Sequence, residues 1–193
     1  MHVLIVFAHP SRESFAGKVL DRFCAGLKDG GHTFEISDLY AQDFQAIMSR
    51  EEYLRETAGR AELPVAADVA AEQHKINQAS GLCFIYPVWW SDTPAVMKGW
   101  FDRVLTAGFA YEKNGVPAAM KHQEKGMVIC TAGHGAAYFE ENGLGHSMKN
   151  VMLGDRMGDR VREQHMHILD GSLGRGEVLH PQLAEVYQLG KRW

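Results

Sequence analysis

The feature that most constrains the fold is an unbroken apolar run. Val3, Leu4, Ile5, Val6, Phe7 and Ala8 follow one another and stop at His9-Pro10. Alternating apolarity marks a strand with one wet face. Continuous, β-branched apolarity marks a strand covered on both faces, as in a parallel sheet. Pro10 ends the strand, and Ser11 or Ser14 is placed to cap a helix. Phe15, Val19, Leu20, Phe23 and Leu27 then recur at helical spacing, and Gly30-Gly31 closes that helix.

The same alternation continues along the chain. Residues 33–37 read as a second strand, 69–79 as a helix and 81–86 as a third strand. Residues 94–107 read as a helix whose apolar side is Val96, Met97, Trp100, Phe101, Val104 and Leu105. Residues 125–132 supply a fourth strand. Residues 147–161 read as helical, although Gly154 and Gly158 weaken that pattern. Residues 165–169 read as a fifth strand and 181–189 as a last helix. Strands alternating with helices imply βαβ units around a parallel sheet, an α/β fold. Two stretches break the rhythm. Residues 40–66 are a long insertion after the second strand, and residues 109–124 are a polar loop containing Gly115 and Pro117. Loops that long in a compact domain are usually lids, binding loops or oligomer contacts. With no repeat or linker, residues 1–193 read as one domain.

Composition excludes several classes. Apolar residues are 46% and charged residues 23% of 193 residues, which rules out collagen-like and disordered chains. A net charge of −4 gives no nucleic-acid footprint. The densest apolar run, residues 82–90, is too short to span a bilayer. The first residues lack the basic stretch of a signal peptide, and Cys24, Cys83 and Cys130 form no paired pattern, so a cytoplasmic protein with reduced thiols is expected.

In open parallel sheets, ligands sit at the carboxyl ends of strands. After the first strand come His9, Ser11, Arg12, Ser14, Phe15, Ala16 and Gly17, where hydroxyls, amides and a helix N-terminus suit a phosphate or serve simply as a cap. After the third come Pro87, Val88, Trp89, Trp90, Ser91, Asp92, Thr93 and Pro94. Adjacent indoles offer flat faces for a planar ligand, or a core or subunit contact. After the fourth come Thr131, Ala132, Gly133, His134, Gly135 and Tyr138, small residues that let backbone amides approach a ligand. No GxGxxG fingerprint or Walker pattern accompanies these loops, and residues 171–176 have the wrong glycine order. His165 and His167 share one face of the fifth strand, but a polar edge is the simpler reading and no metal site is assigned. Cys83 and Cys130 fall inside strands and read as inert core.

These residues also carry a resemblance. The segments Leu4-Ile5-Val6-Phe7-Ala8-His9-Pro10, Ser37-Asp38-Leu39-Tyr40-Ala41, Ala71-Glu72-Gln73 and above all Pro87-Val88-Trp89-Trp90 through Pro94-Ala95-Val96-Met97-Lys98-Gly99-Trp100-Phe101-Asp102-Arg103-Val104 resemble the flavodoxin-like NAD(P)H:quinone oxidoreductases. The resemblance implies a three-layer fold with a five-stranded parallel sheet in the order 2-1-3-4-5, and a homodimeric flavoprotein. It implies that His9, Ser14, Phe15 and Ala16 surround the flavin phosphates. Pro87, Val88, Trp89 and Trp90 would line the isoalloxazine ring, while Thr131, Ala132, Gly133 and His134 offer amides to its pyrimidine edge. NAD(P)H would reduce the flavin and a quinone would reoxidise it, in ping-pong order. Tyr138, with His146 or His134, falls where the family places a proton relay, and Trp90 would be the stacking wall. FAD is the expected cofactor, with FMN the alternative. A flavin-binding regulatory subunit docked on a potassium-efflux transporter, or an azo- or nitro-reductase, are the competing roles.

Overall fold

The computed structural model describes residues 1–172 and 179–193, so residues 173–176 of the glycine-rich stretch lie outside the described residues. Five parallel strands form one sheet in the order β2-β1-β3-β4-β5. They are β1 (His2–Phe7), β2 (Thr33–Asp38), β3 (Gly81–Pro87), β4 (Gln123–Thr131) and β5 (Val161–Leu169). All the pairings are parallel, and they run in register from Val3 beside Gly81 to Pro87 beside Thr131.

Alternate side chains of the central strands feed two cores. Val3, Ile5, Phe7, Cys83, Ile85, Met127 and Ile129 point to one face, with α1 (Phe15–Asp29) and α7 (Leu179–Lys191). Leu4, Val6, Leu82, Phe84, Tyr86, Val128 and Cys130 point to the other, with α4 (Ala95–Val104) and the segment after β4. Every residue of β3 is buried, which is what its unbroken apolarity requires. The three cysteines are buried and free. Burial pushes the Cys24 and Cys130 thiols up to about 12, and Cys83 well above the usual thiol value, which suits core packing rather than thiolate chemistry.

The 40–66 insertion is more ordered than its composition indicates. It carries α2 (Arg50–Thr57), begun by a capping box in which Ser49 and Glu52 exchange side-chain-to-backbone bonds. It is fastened to the domain from inside. Buried Arg103 of α4 reaches Glu52 at 2.8 Å, Asp68 at 2.5 Å and the carbonyl of Gln45 at 2.5 Å. Asp68 opens α3 (Ala67–Gln78). Buried Glu72 of α3 accepts from Ser37, Lys75 and the Trp100 indole N–H at 3.0, 2.7 and 2.8 Å.

The stretch read as helical over 147–161 is helical through Arg160, though not as one α-helix. The chain forms α5 (Ala136–Glu141), α6 (Leu144–Lys149), a π-helical stretch Asn150–Met157 and a short 3₁₀ turn Gly158–Arg160. Gly143 at φ 65° separates α5 from α6, and Gly158 at φ 52° ends the π-helical stretch. β5 then starts at Val161, four residues before the sequence pattern indicates, because its exposed edge residues Arg162, Glu163 and His165 hide the strand signal. Among the described residues, no helix is long and apolar enough to cross a membrane.

Candidate flavin site

The carboxyl ends of β1, β3 and β4 converge where the strand order reverses, since β1 lies between β2 and β3. Each of these strands is prolonged by one cross-strand bond into its loop. Ala8 N–H donates to Ile85 at 3.1 Å, Val88 N–H to Thr131 at 2.8 Å and Ala132 N–H to Leu169 at 2.8 Å. A cleft of about 510 Å³ opens above them. Val88, Trp89, Trp90 and Ser91 form one wall. Ala132, Gly133, His134, Tyr138 and Phe139 form the other. That volume suits a drug-sized planar ligand.

The indole wall is a tight turn. Trp89 N–H donates to the Asp92 carbonyl at 3.0 Å, and Asp92 N–H returns to Trp89 at 3.1 Å. Trp90 and Ser91 between them have φ values of 53° and 60°. Two consecutive left-handed L-residues cost about 1–2 kcal/mol each. Trp90 ends up fully exposed at the rim. Backbone strain beside a cleft is characteristic of ligand sites.

The opposite wall is tied down by its carbonyls. The Ala132 carbonyl accepts from Ser172 N–H at 2.9 Å, and the His134 carbonyl from Gly171 N–H at 3.1 Å. Asp170 accepts from Ala136 N–H at 2.5 Å. The N–H groups of Gly133 and His134 have no acceptor among the described residues. Two neighbouring donors held open at a cleft suit an acceptor-rich ligand edge. The His134 imidazole stacks on the Tyr138 ring with centroids 4.1 Å apart.

The first loop abuts this cleft without lining it. The His9 ring lies 6.3 Å from Trp89, and its Nδ1 accepts from Ser11 N–H at 2.9 Å. Ser14, rather than Ser11, caps α1, accepting from Gly17 N–H at 3.1 Å. Phe15 and Ala16 form its first turn, Ala16 buried. Pro87 and Thr131 are paired, buried strand ends beneath the cleft floor. His146 is not brought into the cleft. It lines a neighbouring hollow beyond Phe139, and its Nε2 pairs with Asn150 at 2.9 Å. His165 and His167 face Glu163 and Glu185 separately, and among the described residues no cluster could hold a metal.

Nothing local in the sequence marks Phe139 as part of this cleft, or Asp170 as a tie behind its wall, or names the partner of Asp92. Arg156 grips the Asp92 carboxylate with both terminal nitrogens, at 2.9 and 3.1 Å. The two residues are far apart in the chain, so no short pattern announces the pair.

The family whose description is a flavodoxin-like fold matches residues 1–156. An NAD(P)H:quinone oxidoreductase from Methanothermobacter marburgensis superposes with a TM-score of 0.94 at 45% identity, covering 99% of this chain and 98% of that one. The chain belongs to the flavodoxin-like NAD(P)H:quinone oxidoreductases. An uncharacterized NAD(P)H oxidoreductase of Haemophilus influenzae is 32% identical over 155 residues, 79% of this chain and 75% of its own length. NAD(P)H dehydrogenase (quinone) 1 of Rattus norvegicus is 35% identical over 165 residues, which is 78% of this chain but only 60% of the rat protein. Family membership fits the cleft: flat aromatic walls and free amides are what a flavin ring needs.

Proposed function

We propose that the chain is a flavin-dependent NAD(P)H:quinone oxidoreductase that reduces quinones to hydroquinones by two electrons. One observation carries this reading: the Trp89–Trp90 wall and the free Gly133 and His134 amides share a single cleft at the strand-order reversal. When bound, the flavin supplies reversible hydride chemistry between nicotinamide and quinone. The Gly133 and His134 N–H groups would hold its pyrimidine edge and stabilise negative charge there without reorganising. Trp90 offers the face against which nicotinamide and quinone stack in turn. His134 and Tyr138, stacked in the cleft wall, would supply or take up the proton that accompanies reduction. The N-terminus of α1, with Ser11, Arg12 and the loop around them, is the place for the phosphate.

The cleft recognises the ring that FAD and FMN share. FAD is the expected form, and the mass of the nucleotide released on denaturation decides between them. A homodimer, a quinone acceptor and a cytoplasmic setting complete the reading. The test is direct. Reconstituted protein should be yellow, NAD(P)H should bleach it, and a benzoquinone or naphthoquinone should restore the colour. A protein that takes up no flavin overturns the proposal. Bleaching without reoxidation by any quinone points instead to a regulatory subunit or a different acceptor, such as an azo dye.

A further inference from the structure

Trp90 presents a problem of support. Its indole is fully exposed, so packing does not fix it. Its backbone is left-handed without being glycine, so the turn does not hold itself by preference. Something outside the turn must impose the conformation. The Asp92 carboxylate accepts two bonds from Arg156 and, at 2.6 Å, one from Thr93 N–H. Arg156 is itself immobilised. It is buried, its guanidinium lies 4.8 Å over the Phe101 ring, and one nitrogen sits 3.1 Å from the Met152 sulfur. Phe101 in turn packs on Phe84 of β3, with ring centroids 5.1 Å apart. A path of packed groups thus runs from the sheet core through Phe101 and Arg156 to the turn that carries Trp90.

The position of Arg156 in the chain adds a second consequence. It lies on the π-helical stretch Asn150–Met157, which continues from the segment that forms the Gly133–Phe139 wall. The ion pair therefore ties the indole wall to the helical layer that follows the opposite wall in the chain, beyond the Gly143 turn. We propose that Asp92 and Arg156 are positioning residues that lock the Trp89–Asp92 turn and so hold Trp90 in place for the electron acceptor. This rests on the cleft being the flavin and acceptor site, but the lock itself is a property of the protein with or without flavin. A fork is needed rather than a point charge, because two parallel bonds fix the orientation of the carboxylate as well as its distance.

The experiment uses the intact chain labelled with fluorotryptophan. Its four tryptophans give separate fluorine resonances, with that of Trp90 assigned by Trp90→Phe. Asp92→Asn is the main variant, because that carboxylate is half-exposed and its loss leaves the core intact. Arg156→Lys keeps the charge and removes the fork. The expected result is a shifted and narrowed Trp90 line in both variants, with the Trp100 and Trp193 lines unmoved. The acceptor KM should rise roughly tenfold, and the KM for NAD(P)H with it because both stack on Trp90, while flavin affinity changes by less than about twofold. The paired exchange Asp92→Arg with Arg156→Asp should recover part of the loss. A Trp90 line that stays as in the unaltered protein in Asp92→Asn, with Trp100 and Trp193 in place, overturns the lock. The fluorine spectrum decides this even if the protein takes up no flavin, an outcome that would overturn the flavin reading alone.

Discussion

The imidazole of His134 lies almost parallel to the phenol ring of Tyr138, tilted by 22° with centroids 4.1 Å apart. Both side chains line the cleft, and two proton carriers in contact act as one unit. Tyr138→Phe preserves the stack and removes only the hydroxyl. Flavin reduction in a single turnover should slow by no more than about tenfold, below the usual contribution of a lone general acid. His134→Gln should slow it similarly. The double variant should cost less than the product of the two, because neighbouring groups are coupled. An unchanged single-turnover rate in Tyr138→Phe removes the tyrosine from the mechanism.

Trp90→Ala separates cofactor from acceptor. The exposed indole contributes little to folding, so stability should shift by less than about 0.5 kcal/mol. Stacking on one face of a planar acceptor contributes about 0.5–1.5 kcal/mol. Quinone kcat/KM should therefore fall up to about tenfold while flavin affinity holds. Parallel losses in flavin Kd and acceptor turnover recast Trp90 as a cofactor-packing residue.

How much of this was legible in the sequence depends on the range of the interaction. β1 and β3 announce themselves because both faces are buried, so apolarity is continuous. The spacing of Phe15, Val19, Leu20, Phe23 and Leu27 marks α1 because one side packs on the sheet. The two loops that line the cleft, and the one that abuts it, follow from strand ends alone. The region after β4 is only half legible: its helical character over 147–160 can be read, but α5 is too short for a period and the π-helical winding of Asn150–Met157 has no sequence signature. The contact between α1 and α7 is equally silent. A Cβ on Gly26 would stand 2.1 Å from the Tyr187 carbonyl oxygen, a fit that exists only once both helices are docked. His146 shows the opposite failure. Proximity in sequence to Tyr138 suggests the cleft, and the intervening turn carries it into the next hollow.

Gly17 links backbone geometry to phosphate binding. A Cβ there would stand 1.9 Å from the Arg12 carbonyl oxygen, which belongs to backbone and cannot swing aside. Gly17→Ala must therefore push the 9–14 loop off the first turn of α1. Overpacking of this kind costs about 1–3 kcal/mol, readable from the urea midpoint. Flavin content after purification should drop more steeply than stability, since the displaced loop is the proposed phosphate cradle. A variant that keeps full flavin content would place the phosphate elsewhere.

Acid should loosen the 40–66 insertion before it loosens the sheet. The Arg103 guanidinium holds the Asp68 carboxyl below the usual carboxylate range. Burial alone would raise Glu52, but bonds from Arg103 and the Ser49 amide bring it below its ordinary value as well. A carboxylate with a depressed folded-state pKa binds its proton more readily in the unfolded chain. Its stabilisation is therefore fully present above the unfolded value, roughly pH 4, and disappears as the pH falls through the lower folded value. Melting temperature should be flat around neutrality and fall below about pH 5. Arg103→Met removes the cation that depresses both carboxyls. It should lower stability at neutral pH and flatten the acid slope, as two partly buried carboxylates lose their partner. Hydrogen exchange should show α2 opening first, because Glu52 is its only charged tie to Arg103 among the described residues. An acid slope equal in Arg103→Met and the unaltered protein would assign the acid sensitivity to other groups, with Asp92, similarly held down by Arg156, the next to examine.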